Sequence, residues 1–335
     1  MTHELKKIIR AYEKAAALGV KSVLATVVAL DGSSYRRPGV RMLLLENGTM
    51  VGAVSGGCVE KEVFRQAESV FKSGIPKMMT YDGRYRLGCE GILYVLLEPM
   101  DVSTEALKAF HQVLKARETF NIESFYQKGH AENKKFGSQY IIGDSIFPFR
   151  SDTKLDSNLD AFKQKMNPCF RLVIIGAEHD AVQLCSFAAM TGWEVTMVVH
   201  PKEEKTIEDF PGATTLIADE GETMNLVFDD TTALMLMTHS YVKDLKYLIA
   251  LKEEKPSYFG LLGPARRREK LFDELLEVDS DINPNFLEQI NGPAGLDIGA
   301  ETPQEIALAI LSEIIAVVNE KEVNSLKEKQ GKIHA

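Results

Sequence analysis

The residues best suited to chemistry lie at Ser55-Gly56-Gly57-Cys58-Val59-Glu60, where a strand-like run meets an amphipathic helical run. A small-Gly-Gly turn at a helix start presents backbone N–H groups at the positive end of the helix dipole, which favours anions. A cysteine there has a lowered pKa, so Cys58 would be a good nucleophile and metal ligand. The same pattern also suits a tight strand–helix corner with a small buried cysteine beside it. Cys89 lies in a second Gly-rich stretch, Leu87-Gly88-Cys89-Glu90-Gly91. Two thiols near Arg36, Arg37, Arg84 or Arg86 would suit a soft metal, a sulfur transfer, or an anionic cofactor with sulfur ligands. Arg36 and Arg37 stand in the loop Asp31–Gly39, before Pro38-Gly39. Guanidinium groups pair bidentately with phosphate oxygens, so this loop reads either as a phosphate clamp or as a solvated loop.

The second half carries weaker signals. Gly176-Ala177-Glu178-His179-Asp180-Ala181 follows an apolar run and takes the place of the dinucleotide fingerprint G-x-G-x-x-G/A. Gly176 and Ala181 fit, but Glu178 replaces the middle glycine, and a carboxylate there repels a pyrophosphate. The ribose-binding acid expected about 20 residues on is also missing, because the next strand ends Val198-Val199-His200-Pro201. The pattern therefore predicts the fold and speaks against NAD. His239, after Thr238, and Gly263 with Arg266 stand at the ends of later strands, where open α/β sheets bind ligands. His239 fits an acid–base or ligand role, and Gly263 with the run Arg266–Arg268 at the next helix start an anion site. A structural His and a solvated basic helix face fit the same residues.

The elements that must position these groups follow from periodicity. A helix is expected over 4–18, strands over 22–30, 40–45 and 49–54, and a hairpin turn at Asn47-Gly48. A helix with Val59, Val63, Ala67 and Val70 on one face follows the Cys58 turn. Strands at 77–81 and 92–97 flank the Cys89 loop. Beyond residue 170, strands at 172–175, 195–199, 232–237 and 258–262 alternate with helices, which predicts a parallel sheet. Thr302-Pro303-Gln304-Glu305 forms a capping box before an apolar helix, Ile306–Val318, that serves either the core or a contact between copies of the chain. The expected organisation is α/β: an amino-terminal α+β domain over 1–150, a polar linker over 151–169, a Rossmann-like three-layer domain with a mostly parallel sheet over 170–320, and a polar tail over 321–335.

At 335 residues, two domains are the default. The net charge of −9 argues against nucleic acid as a partner. No run approaches the roughly 18 apolar residues of a membrane span, and no export signal is evident, so a cytoplasmic protein with reduced thiols is expected.

Several of these pieces together resemble one family. The loop Gly32–Gly39, the turn Ser55–Glu60, and Leu87–Gly91 with Glu98-Pro99 are similar to the amino-terminal part of XdhC/CoxI proteins. Gly176-Ala177 with His179, Thr238-His239, Gly260-Leu261-Leu262-Gly263 and Gly295-Leu296-Asp297-Ile298-Gly299-Ala300 resemble their second half. The likeness covers roughly 20–100 and 170–320, while 101–169 is unmatched. The resemblance implies an accessory factor more than an enzyme. Such a factor binds the molybdenum cofactor (molybdopterin), protects it while an oxo ligand is exchanged for sulfur, and helps insert it into a xanthine dehydrogenase-type molybdenum hydroxylase. A cysteine desulfurase is the other implied partner. On that reading Cys58 and Cys89 meet the molybdenum or hand over sulfur. Arg36, Arg37 and the turn Ser55-Gly56-Gly57 hold the anionic end, and Gly176, His179, His239, Gly263 and Arg266 line the second half. Glu178, His200 and Pro264 depart from the family pattern, all in the region where a nucleotide would bind. The alternatives are an NAD(P)-dependent oxidoreductase and a xanthine dehydrogenase-associated subunit. Four scattered cysteines are too few to supply an iron–sulfur domain.

Overall fold

The computed structural model describes residues 1–32, 37–57, 59–85, 91–129, 131–151, 154–221 and 226–329. Arg36, Cys58 and Cys89 lie outside the described residues. The chain divides into two compact units, Met1–Pro168 and Cys169–Ala335.

The first unit opens with α1 (Thr2–Ala17), whose Leu5, Ile8, Ile9 and Tyr12 recur at helical spacing and are buried. Then come β1 (Ser22–Asp31), β2 (Arg41–Leu45), β3 (Met50–Gly52), α2 (Glu60–Ser73), β4 (Lys77–Asp82) and β5 (Ile92–Pro99). The five strands form an antiparallel sheet in the order β3-β2-β1-β5-β4. Strand alternation decides its two faces. Val23, Ala25 and Val27 of β1 pack with Val63, Ala67 and Val70 of α2. Leu24 and Val28 face the other way, toward α1 and the second half of the unit.

That second half holds α3 (Thr104–Ala116), β6 (Phe120–Tyr126), β7 (Gly137–Ile142), β8 (Ser145–Pro148) and β9 (Asp160–Met166). The strands make a four-stranded antiparallel sheet, β8-β7-β6-β9. The expected linker over 151–169 is therefore corrected over 160–166, which pair with β6 along their length. The stretch reads as polar because β9 is an edge strand. Lys163 and Lys165 point outward, while Phe162, Gln164 and Met166 turn inward. Two side-chain bridges cross the largely apolar seam between the two sheets. Ser138 donates from N (2.8 Å) and Oγ (2.6 Å) to the buried Glu98 of β5, and the buried Arg41 of β2 donates from Nη1 to Gln164 Oε1 (2.6 Å).

The second unit comprises β10 (Arg171–Ile175), α4 (His179–Met190), β11 (Glu194–Val199), β12 (Thr215–Ala218), β13 (Thr232–Leu236), α5 (Tyr241–Ala250), β14 (Tyr258–Leu261), α6 (Ala265–Val278), α7 (Pro284–Glu288), β15 (Ile290–Asn291) and α8 (Pro303–Val318). The sheet is parallel throughout, ordered β12-β11-β10-β13-β14-β15. This is the 3-2-1-4-5-6 order of dinucleotide-binding folds. Helices α4 and α8 cover one face, and α5, α6 and α7 the other. The Thr302–Glu305 capping box forms as the sequence predicts. Ile310 and Ile314 of α8 are core, while Leu308 and Ile315 are exposed. Of the polar tail, 321–329 is exposed and carries one turn, Leu326–Glu328.

Order reversal at β10 and β13 depends on a close approach of their exits. Gly176 has φ +144°, and a Cβ there would collide with the carbonyl of Met237. Gly176→Ala should therefore destabilise the second unit by roughly 2–4 kcal/mol, from backbone strain plus overlap. Chemical denaturation followed by Trp193 fluorescence measures this. A loss under about 0.5 kcal/mol would show that the two exits can part without cost.

Candidate functional site

In the first unit the turn before α2 is built around a carboxylate. Glu60 is buried, 8% exposed, and its carboxylate accepts from Ser55 N (2.8 Å), Ser55 Oγ (2.8 and 2.9 Å) and Val59 N (3.2 Å). Ser55 Oγ in turn accepts from Gly57 N (3.1 Å) and Val59 N (3.3 Å). The N–H groups of Ser55, Gly57 and Val59 are thus satisfied from within the chain. This alters the expected chemistry. The positive end of α2 already faces a negative charge, two residues along the chain from Cys58, and a like charge disfavours a thiolate. Burial pushes the Glu60 carboxyl up, but hydrogen bonds from Ser55, Glu60 N and Val59 outweigh it and hold it below the usual glutamate value. Among the described residues the turn keeps open space: a Cβ on Gly56 or Gly57 would meet none of their atoms within 4 Å.

The loop that carries Arg37 returns to the sheet through Gly39. Gly39 N donates to Val27 O (2.7 Å), and its carbonyl accepts from Arg41 Nη1 (2.9 Å). Arg37 itself is exposed. At the other root of the loop, Asp31 accepts from Lys128 Nζ (2.9 and 3.2 Å) and from Tyr94 Oη (2.8 Å), and Lys128 lies 4.6 Å from the centre of the Tyr94 ring. The Lys128 bond and the Tyr94 bond hold the Asp31 carboxyl below its ordinary range. Asp31 ends β1 and Ile92 begins β5, so this cluster stands at the end of the sheet that carries the Cys89 loop. Arg84, expected near the thiols, forks onto Asp82 at 2.9 and 2.6 Å.

In the second unit, Gly176, His179, His239 and Gly263 all fall at the carboxyl edge of the parallel sheet. His239 follows β13 and takes a left-handed backbone, φ +55°, which costs a non-glycine residue about 1–3 kcal/mol and marks a constrained position. Its Nε2 lies 3.2 Å from Asp180 Oδ2, in the first turn of α4. Beside it, Thr238 Oγ1 donates to Asp244 Oδ1 (2.6 Å), and Arg267 Nη2 donates to Asp244 Oδ2 (2.6 Å). Asp244 is 1% exposed, so the pair is well shielded. The structure brings Arg267, rather than Arg266, into this edge; Arg266 is exposed. Glu178 and His179 are exposed at the start of α4. His200, where a ribose-binding acid would stand, accepts from Lys202 N through Nδ1 (3.2 Å).

Sequence reading missed Lys128, Tyr94, Asp180 and Asp244, and it did not separate Arg267 from its neighbours in the run Arg266–Arg268. Asp180 and Asp244 carried a signal, an acid in the first turn of a helix after a strand. Lys128 carried none, being 97 residues from Asp31. The other two cysteines, Cys169 and Cys185, are buried in the second unit, and burial pushes the Cys185 thiol up to about 11. Among the described residues, no group of three or more His, Cys, Asp or Glu could hold a metal.

Glu60 gives a test of the turn. Because its folded pKa lies below the unfolded value, its contribution to stability is full above about pH 4.5 and is lost as the pH falls through the folded value. Glu60→Gln should cost about 1–3 kcal/mol at pH 7. It should flatten the acid limb of the stability–pH curve and make Cys58 react faster with a thiol probe. Unchanged stability and reactivity would detach the carboxylate from the turn.

Comparison with known proteins places this geometry. Residues 15–82 match the XdhC and CoxI family, and residues 172–314 match the XdhC Rossmann domain. A probable xanthine dehydrogenase subunit of Bacillus subtilis (strain 168) is 30% identical over 319 residues, covering 88% of this chain and 92% of its own. The molybdenum cofactor insertion chaperone PaoD of Escherichia coli (strain K12) is 26% identical over 331 residues, covering 97% of this chain and 92% of its own. A crystal structure of a xanthine dehydrogenase from Bacillus halodurans matches with a TM-score of 0.75 at 27% identity, covering 94% of this chain and 97% of that one. With both halves matched and relatives aligned along nearly the whole length, the chain belongs to the XdhC and CoxI family.

Proposed function

We propose that this protein is an accessory factor that carries the molybdenum cofactor as cargo, supports its sulfuration, and aids its insertion into a xanthine dehydrogenase-type molybdenum hydroxylase. The observation that carries the reading is the alignment of 97% of the chain, through both units, with a relative named a molybdenum cofactor insertion chaperone. The fit of the cargo is supported by the open space above Gly56 and Gly57 and by exposed cations at the same sheet end. Ser55, Gly57 and Val59 have spent their N–H groups on Glu60 and Ser55, so the anionic end of the cargo falls to side chains: Arg37, Arg36 and Lys128. Cys58 and Cys89 serve the molybdenum side. A cysteine desulfurase supplies the sulfur, and the hydroxylase receives the loaded cofactor.

In this reading the second unit offers the constrained His239 with Asp180, alongside Gly176, His179 and Gly263. The 3-2-1-4-5-6 strand order favours a second reading, an NAD(P)-dependent oxidoreductase. Glu178 in the fingerprint and His200 at the ribose position weigh against it.

The full chain incubated with molybdopterin should retain the cofactor through gel filtration. Cys58→Ala should keep the fold yet abolish activation of an apo-hydroxylase. Arg37→Ala should weaken retention about tenfold, with a shallower salt dependence as an ionic contact is lost. No retention by the wild-type chain would end the proposal; unaltered retention by Arg37→Ala would return that residue to a solvated loop.

A further inference from the structure

Arg41 is 5% exposed and stands at the start of β2, on the face turned toward the four-stranded sheet. Its Nη1 is fully used, donating to Gly39 O and Gln164 Oε1. Its Nε and Nη2 have no hydrogen-bond partner among the described residues. These two groups form one edge of the guanidinium plane, a parallel donor pair whose geometry matches an anion. Two more buried groups nearby lack partners among the described residues: Thr26 Oγ1, directly across from Arg41 in the β1–β2 register, and Tyr140 Oη, both on residues 0% exposed. Tyr140 and Arg41 also act on one another electrostatically.

The nearby buried carboxylate does not fill the gap. Glu98 spends its oxygens on Ser138 N and Oγ and forms no ion pair with Arg41 among the described residues. Burial holds its carboxyl above the usual range, with Ser138, Arg150 and Arg41 opposing. Arg150 adds positive charge to the surroundings, not negative. A buried guanidinium with an empty donor edge and no ion-paired counter-charge among the described residues is among the costliest arrangements a protein interior can hold. A water molecule would satisfy the hydrogen bonds but add no negative charge to the through-space pull of Glu98.

We propose that the seam between the two sheets is a built internal site for one small monovalent anion of halide size, held in the Nε–Nη2 fork of Arg41 with the hydroxyls of Tyr140 and Thr26 as further donors. The anion neutralises the side chain whose Nη1 anchors Gly39, and so steadies the return of the Arg37 loop to the sheet.

The test uses the full chain. Thermal unfolding is followed at fixed ionic strength while chloride is replaced stepwise by gluconate, which is too large for the seam. The wild-type midpoint should fall by about 3–5 °C, saturably in chloride. Arg41→Met should show no chloride dependence, whatever its own midpoint. Should Arg41→Met fail to fold, Tyr140→Phe serves instead and should weaken the chloride response about tenfold in concentration. Crystals grown in bromide should show an anomalous peak at the Nε–Nη2 edge. A wild-type midpoint indifferent to chloride, or a bromide map with only water at Arg41, overturns the proposal.

Discussion

Two side-chain bridges, Glu98 to Ser138 and Arg41 to Gln164, tie the two sheets of the first unit across a largely apolar interior. Much else there is arranged around them. Gly39 lacks a side chain because a Cβ would collide with Gln164 as it reaches Arg41. A Cβ on Gly137 would sit 3.1 Å from Glu98 Oε2. Apolar packing alone would let the sheets slide, since burial is non-directional. A buried donor parted from its acceptor costs about 1–3 kcal/mol, so each bridge permits one register. The loop bearing Arg37 inherits that register through the Gly39 carbonyl.

Helix starts after strands are natural phosphate sites, but in both units the chain supplies its own carboxylates. Glu60 closes the turn before α2, Asp180 in the first turn of α4 faces His239, and Asp244 in the first turn of α5 joins Thr238 to Arg267. Each offsets the partial positive charge a helix N-terminus would otherwise offer. Under the proposed function, recognition of an anion at the first-unit turn would pass from backbone to cationic side chains, contacts that suit a carrier releasing its cargo better than a rigid cradle does.

Much of the fold could be read from the sequence because its signals are local. The apolar periodicity of α1 and α2, the Asn47-Gly48 turn and the Thr302–Glu305 box each lie within one element. Strands β8, β12 and β15 went unread because they are two to four residues long, and β9 because the exposed charges of an edge strand hide its alternation. The site was legible in its types but not in its partnerships. Ser55-Gly56-Gly57-Cys58-Val59-Glu60 stood out, yet nothing in spacing said that Glu60 folds back onto Ser55. The Asp31–Lys128 contact and the Asp244–Arg267 pair join distant segments that only tertiary structure brings together. Likewise Arg266 and Arg267 are adjacent in a basic run, and only pairing with Asp244 separates the half-buried one from the exposed one.

The carboxyl edge of the parallel sheet has a consequence in genetic terms. Every glutamate codon becomes a glycine codon by one base change, and every histidine codon becomes an aspartate codon by one. Glu178 and His200 are thus each a single mutation away from the glycine and the acid of a dinucleotide-binding unit, on a strand order that already suits one. The strand order offers no barrier to that change, so what stands between this unit and a dinucleotide fingerprint is two side chains rather than a different fold.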